Sequence, residues 1–230
     1  DGRVFPTSDS SADVIKCLKD LAKDAGVNVF TNSHVKQIIK NDEGFDVLVK
    51  GGNYFKSANI LISTGGHPSG RRLAKSLGHS IIKPVPSLFS FTSSDSSLKS
   101  CSGIALDVHV TLVVNKKKYF EKGILLITHK GFSGPVILRI SAFSARNLYE
   151  NNYQAELKIN WLCMSESQAR SEIELYKSVN GKKLLLNNKP FNLLPKRLWK
   201  AILLSLTINN KLKWAELSKY EIESLVKCLT

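Results

Sequence analysis

The 230-residue chain has a single methionine, Met164, and four cysteines, Cys17, Cys101, Cys163 and Cys228, none of them in a C-x-x-C pair. Isolated thiols argue against a structural zinc site and against a disulfide-dense scaffold, so a reducing cytoplasm is the default compartment. No stretch approaches the roughly 18 uncharged apolar residues that a membrane-spanning helix needs. The best run, Ile202 to Ile208, is far shorter. No basic segment followed by an apolar one opens the chain, so a signal peptide is not expected. Since it begins Asp-Gly-Arg, we expect it to be cut out of something longer. Acids are also scarce, 19 against 33 Lys and Arg, for a formal net charge of +14. With 43% hydrophobic residues the chain is nevertheless not a disordered polyelectrolyte. It has apolar material for one large domain or two to three small ones.

Several catalytic fingerprints are missing as well. There is no G-x-G-x-x-G and no phosphate-binding G-x-x-x-x-G-K-[ST], so the chain has no dinucleotide pyrophosphate cradle of its own. G-x-S-x-G is absent because Pro135 stands where the last glycine would be. No acid lies near His129 and Ser133 in sequence, which leaves hydrolase chemistry unsupported.

What is present falls into three textures. Ser10 caps a helix with Asp13 in its first turn, and Ala12, Ile15, Leu18, Leu21 and Ala22 recur at helical spacing until Gly26, predicting one inward-packed face. Short β-branched runs follow at Val27–Phe30, His34–Lys40, Phe45–Val49 and Asn53–Lys56. Ala58–Ser63 is nearly continuously apolar, as expected of a strand covered on both faces in a parallel sheet, and runs into Thr64-Gly65-Gly66. A short helix from about Ser69 ends at Gly78. Pro84 and Pro86 then mark a boundary to a β unit with strands at Ser87–Thr92, Asp107–Val114 and Lys118–Thr128 and a hairpin turn at Asn115-Lys116-Lys117. A helix is predicted near Ser133-Gly134-Pro135, and a strand over Tyr153–Leu162. Helices dominate after Ser165, with capping boxes at Ser165/Gln168 and Ser218/Glu221. The fold class expected is α/β plus β, in three parts: 1–83, 84–164 and 165–230.

Three local features bear on chemistry. Glycines at the carboxyl end of a strand let a backbone approach a phosphate or flavin, although an ordinary strand-to-loop turn reads the same way. Thr128-His129-Lys130-Gly131-Phe132-Ser133-Gly134-Pro135 places a histidine, two hydroxyls and two glycines before a helix start, which could hold an anion or serve only as a turn. Between Glu174 and Glu216 there are no acids and nine Lys or Arg. Tyr176, Phe191, Trp199 and Trp214 are interleaved, the composition of a nucleic-acid surface or of a solvated helical face with its aromatics inside. For Trp199, which shares a face with Leu203, the core reading is preferred.

The order of these motifs resembles the YhiN-type family of FAD-dependent, NAD(P)H-linked oxidoreductases, which includes aminoacetone-oxidase-like flavoproteins. The resemblance rests on Gly2-Arg3-Val4-Phe5-Pro6, Val35-x-x-Ile38, Ala58-x-Ile-Leu-Ile-x-Thr64-Gly65-Gly66, Leu73-Ala-x-x-Leu-Gly-His79 and Thr128-His-x-Gly-x-Ser-Gly-Pro135. It implies a two-dinucleotide-binding-domain type FAD domain, an inserted β-barrel-like domain and a small helical domain. It also implies that the FAD domain is partial here, its phosphate cradle and closing segment lying elsewhere. By the same resemblance the backbone of Val35 would lie by the adenine, and Thr64, Gly65 and Gly66 would approach the cofactor. Phe5 and Pro6, with Arg3, would lie towards the isoalloxazine and substrate. Thr128, His129, Ser133 and Gly134 would form the second wall, with His129 and Arg3 as the catalytic candidates for an anionic or carbonyl-bearing small-molecule substrate. The helix following so soon after Thr64-Gly65-Gly66 departs from the family's longer glycine-rich stretch and puts cofactor contacts there in doubt. The competing expectations are a basic nucleic-acid-binding module using Lys177–Lys213 and an inactive gene fragment. No metal site is expected.

Overall fold

The computed structural model describes residues 4–95, 97–209 and 211–230, and the chain divides at Lys83 into two units, Asp1–Lys83 and Pro84–Thr230. Arg3, one of the catalytic candidates, lies outside the described residues.

In the first unit, α1 (Ser11–Asp24) starts where the Ser10 hydroxyl accepts from the Ala12 amide, as its sequence predicts. A meander of β1 (Val35–Asn41), β2 (Gly44–Val49) and β3 (Tyr54–Ser57) follows, all antiparallel. Then comes α2 (Pro68–Ser76), capped by the His67 ring, which accepts from the Ser69 amide. Three expectations fail here. Residues 58–63 run without helix or strand assignment and belong to neither sheet, and no parallel ladder occurs among the described residues. The apolar face of α1 is not packed inward either: Ile15, Leu18 and Leu21 are all exposed, and the helix buries no residue. Val27–Phe30 likewise forms no strand, and Val27, Val29 and Phe30 are exposed. One cause accounts for all three. A strand exists only with a hydrogen-bonding neighbour, and a helix buries its stripe only against a layer; neither residues 58–63 nor 27–30 join the β1-β2-β3 ladder, and α1 buries no residue against it. The unit's buried hydrophobic side chains reduce to Ile38 and Val49.

The second unit is sealed. Strands β4 (Phe91–Thr92), β5 (Ala105–Val114), β6 (Lys117–Thr128), β7 (Gly131–Ser133) and β8 (Glu156–Asn160) form a curled antiparallel sheet in the order β4-β7-β6-β5-β8, left open by strand pairing rather than closed as a full barrel. Alternation along β5 buries Val108, Val110, Leu112 and Val114. The turn from β5 to β6 takes Asn115 and Lys116 at φ 48° and 67°, the double left-handed geometry of a two-residue hairpin. Helix α3 (Pro135–Phe143) lies on β6, where a Cβ at Gly123 would meet Arg139 and Val136, and α4 (Ala145–Glu150) follows it. Beyond β8 come α5 (Glu166–Asn180), α6 (Lys196–Ser205) and α7 (Lys219–Leu229), the first and last opened by the predicted capping boxes at Ser165 and Ser218. The hydrophobic core crosses residue 165 without a break, from Val108 and Leu125 through Trp161 to Trp199, Trp214 and Leu225. No helix among the described residues is long and apolar enough to cross a membrane.

Hydrogen exchange separates these two situations. The amides of Ile60, Leu61 and Ile62 are expected to exchange at nearly the rate of an unstructured chain, while those of Val110 and Leu112 are protected by the β5 ladders. Strong protection at Leu61 would show a strand partner that the fold described here lacks.

Candidate functional site

Besides an open recess of about 970 Å³ beside Phe30, His34 and Lys50 that holds none of the expected site residues, two cavities bear on them, one in each unit. The first, about 650 Å³, opens along the extended segment and is lined by His34, Val35, Ile38, Val47, residues 59–64, Ser69 and Leu73. It brings together Val35 and Thr64, two of the cofactor contacts implied by the resemblance. Gly65 follows at φ +57°, and a Cβ on either Gly65 or Gly66 would meet no atom within 4 Å. Bare backbone beside an open cavity is what close approach of a large planar or anionic group needs. Arg71 donates from Nη1 to the Gly66 carbonyl at 3.0 Å, fixing the loop at the entrance to α2. Phe5 is exposed and Pro6 serves a turn, its carbonyl accepting from the Asp9 amide at 2.9 Å. Neither lines the cavity.

The glycine with a packing requirement here is Gly70, which the spacing argument passed over. A Cβ there would collide with Thr64 Oγ1 and crowd Ile62, so α2 lies against the end of the extended segment without displacing those side chains because position 70 is bare. Sequence does carry a signal for this, a glycine in the first turn of a helix, but it is the same letter as a flexible loop residue.

The second cavity, about 490 Å³, is lined by Phe89, Phe91, Phe132 and Tyr153 with Leu112 and Leu157, and by the polar side chains of Ser90, Thr92 and Gln154 among others. Phe89 holds it together, meeting Phe91 and Tyr153 edge-on with centroids 5.9 and 5.8 Å away, an arrangement favoured by the ring quadrupoles. The expected residues of the second wall sit around β6 and β7. Ser133 Oγ accepts from Ser90 Oγ at 2.7 Å, one hydrogen bond from this cavity. Gly134 caps α3 at φ +94°, and a Cβ there would stand 2.8 Å from the Ile124 carbonyl oxygen and the Leu126 nitrogen. Thr128 Oγ1 accepts from the Lys130 and Gly131 amides and donates to the Gly131 carbonyl. His129 projects at the exposed tip of this turn. Its ring makes no hydrogen bond among the described residues. It lines neither of these two cavities but a narrow crevice shared with Ser93, Asp95 and Lys99.

Thiol chemistry finds no activated nucleophile. Burial, with Asp95 nearby, pushes the Cys228 thiol up from its ordinary range. Desolvation and Asp107 push up Cys163. Both changes disfavour the thiolate.

The hydroxyl of Thr128 is therefore a turn clamp whatever else it does. Thr128→Val, which keeps the shape and deletes three hydrogen bonds, is expected to lower stability by about 1–3 kcal/mol, read as a lower urea midpoint at unchanged slope. His129→Gln should leave that midpoint in place.

Residues 85–230 match the family described as "HI0933-like protein barrel and H2TH domain". The chain is 29% identical over 210 residues to a ribosomal RNA dihydrouridine synthase of Haemophilus influenzae, covering 86% of this chain and 49% of that protein. It is 27% identical over 179 residues to a 3-dehydro-bile acid delta(4,6)-reductase of Clostridium scindens, covering 74% of this chain and 43% of the relative. A ribosomal RNA dihydrouridine synthase of Escherichia coli is 26% identical over 151 residues, covering 62% and 37%. The chain thus spans half or less of the length of these curated relatives, all of which are named as enzymes. The match supports the broad flavoprotein-oxidoreductase class and is to the HI0933-like family rather than to the narrower YhiN-type grouping. The barrel strands and following helices, matched over more than half of its residues, show that the chain belongs to the HI0933-like family.

Proposed function

We propose that this chain forms part of an FAD-dependent oxidoreductase that reduces a ring carbon–carbon double bond conjugated with a carbonyl group. The observation that carries this reading is that two differently named relatives share one bond change. Dihydrouridine differs from uridine by two hydrogens across the ring double bond beside a carbonyl. Reduction of a 3-dehydro bile acid at positions 4 and 6 removes double bonds conjugated with its ketone. The motif order that resembles the YhiN-type family supports the same class.

In the first unit Val35, Thr64, Gly65 and Gly66 are the residues proposed to hold FAD, which supplies the hydride when bound, with NAD(P)H as its electron donor. The fit is partial, because no pyrophosphate cradle occurs in the sequence. In the second unit the edges and faces of Phe89, Phe91 and Tyr153 suit a flat conjugated ring, with Ser90 and Gln154 in reach to bind its carbonyl edge. His129, exposed on the turn beside the aromatic cavity's β7 wall and lining neither cavity itself, is proposed as the proton donor only through a turn movement or a bridging water that brings its ring to the substrate. Ser133 and Gly134 position the wall behind Ser90. Phe5, Pro6 and Arg3 keep the substrate-side role that the resemblance implies.

The test uses a complete protein containing this sequence. It is expected to carry a flavin spectrum and to oxidise NAD(P)H when given a conjugated enone or a uridine-containing RNA, whereas the 230-residue chain alone retains little FAD. A complete protein without flavin, or with flavin and no activity on either compound, would refute the proposal. His129→Gln in that protein should lower kcat about tenfold or more at unchanged FAD content. Unchanged turnover would leave His129 a turn residue.

A further inference from the structure

We infer that the helical part of the second unit carries a docking surface for RNA, made by lysines of α6 and of a short ribbon beside it. The inference deepens the reductase reading and rests on it, in that it assigns a polyribonucleotide as the substrate on which the reduced ring is borne.

The surface follows from what happens to the aromatics and cations between Glu174 and Glu216. Were this a single-strand binding groove of the stacking kind, its rings would be open to bases. Instead Phe191, Trp199 and Trp214 are buried and Tyr176 is half-buried, edge-on to Trp214. Trp199 and Trp214 stack at 6.2 Å and 15°. Each indole N–H donates inward to a backbone carbonyl, Leu185 at 3.0 Å and Asn188 at 2.7 Å. That pair welds α6 to a ribbon in which residues 181–185 run antiparallel to residues 212–215. The ribbon is held by Leu185 N to Leu212 O, Trp214 N to Lys183 O and Ala215 N to Gly181 O at 2.9, 3.0 and 2.9 Å. With the rings inside, Lys182, Lys183 and Lys213 of the ribbon and Lys196, Arg197 and Lys200 of α6 are left exposed on neighbouring segments.

Two other lysines behave differently, and the contrast is informative. Lys177 donates to the Leu217 carbonyl at 2.5 Å, and Lys189 to the carbonyls of Phe191 and Asn192, both at 3.0 Å. Those two are half-buried and committed to the fold. None of the six exposed cations takes part in an ion pair among the described residues. Arg197 reaches only the Ser100 carbonyl, at 3.4 Å, which brings exposed Lys99 to the same neighbourhood. Glu216 is the nearby acid, its carboxylate accepting from the Lys213 backbone amide. Uncompensated positive charge held on a rigid scaffold binds phosphates by releasing their counterions. A lipid surface is the less suited polyanion, because a helix lying on a membrane turns its apolar face outward. On α6 that face, Leu198, Trp199, Ile202 and Leu203, is spent on the protein core.

The experiment measures fluorescence anisotropy of a short labelled RNA hairpin with the 230-residue chain from about 50 to 200 mM salt. Binding is expected to weaken linearly on a log–log plot. Replacing Lys182, Lys183, Lys196 and Lys200 by Gln should weaken it roughly tenfold or more and flatten the slope by about 3, near one unit per lost phosphate contact. A variant of equal charge with Lys16, Lys19, Lys23 and Lys40 replaced by Gln should bind as the parent does. If the two variants lose equal affinity, net charge alone drives binding and the docking surface is refuted. It is also refuted if the parent binds phosphatidylglycerol vesicles through the same four lysines while ignoring the hairpin. All these substitutions are at exposed positions, and a split set, Lys182 and Lys183 against Lys196 and Lys200, should give partial losses if ribbon and helix act together. No flavin enters the measurement, so lost RNA binding in a protein that still reduces enones sinks this inference alone. RNA binding by a complete protein without flavin sinks the reductase reading instead.

Discussion

Backbone groups must find hydrogen-bond partners, and the difference between the two units of this chain follows from where that requirement is met. In the second unit every strand of the five-stranded sheet has a neighbour, and helices cover the core it creates. In the first, the apolar run Ile60-Leu61-Ile62 lies beside an open cavity with no ladder. Without that layer α1 has nothing to cover, and Leu61, Leu18 and Phe30 stand 89%, 62% and 61% exposed. Each such side chain forgoes about 1.5–3 kcal/mol of burial. All three belong to the first unit, whose apolar side chains are therefore far less covered than those of the second.

The tryptophan pair plays the corresponding part in the helical region. A buried indole is favourable only when its N–H is satisfied. Trp199 and Trp214 solve this by donating to two carbonyls of the same 185–188 stretch, so the stack that fills the core also fixes the path of the chain around it. The placement of charge is a consequence. On α6, positions 198, 199, 202 and 203 face the core, leaving 196, 197 and 200 for solvent, and those three are basic.

Local chemistry was readable in the sequence wherever a few adjacent residues decide the outcome. Ser165 and Ser218 close capping boxes, Asn115-Lys116 makes the left-handed hairpin turn, and Pro135 begins α3. The failures involve distant partners. A nearly continuous apolar run such as Ala58–Ser63 signals that both faces are meant to be covered but says nothing about what covers them. The periodicity of α1 names a buried face without supplying its layer. At the sites, Val35 and Thr64 do share a cavity. The packing role of Gly70 and the aromatic cavity around Phe89 escaped, because each is made by residues from separate elements meeting in space. For the basic stretch the sequence left open a stacking surface or a helical face with its aromatics inside; the cations are at the surface and Phe191, Trp199 and Trp214 are buried, as the core reading of Trp199 expected.

Under the proposed chemistry, the difference between the two kinds of named substrate has to be read outside the ring pocket. In that proposal a uracil ring and a steroid enone would each present a conjugated carbonyl edge to the hydroxyl and amide groups of the aromatic-walled cavity. What separates them is the remainder of the molecule: a ribosomal RNA carries a phosphate at every nucleotide, a bile acid a single carboxylate. Only a surface with several fixed, uncompensated cations distinguishes those two by a large factor, since its affinity multiplies with each phosphate engaged. On this chain the surface inferred for that role lies in the helical region, welded by the tryptophan pair to the same core as the sheet that lines the ring cavity.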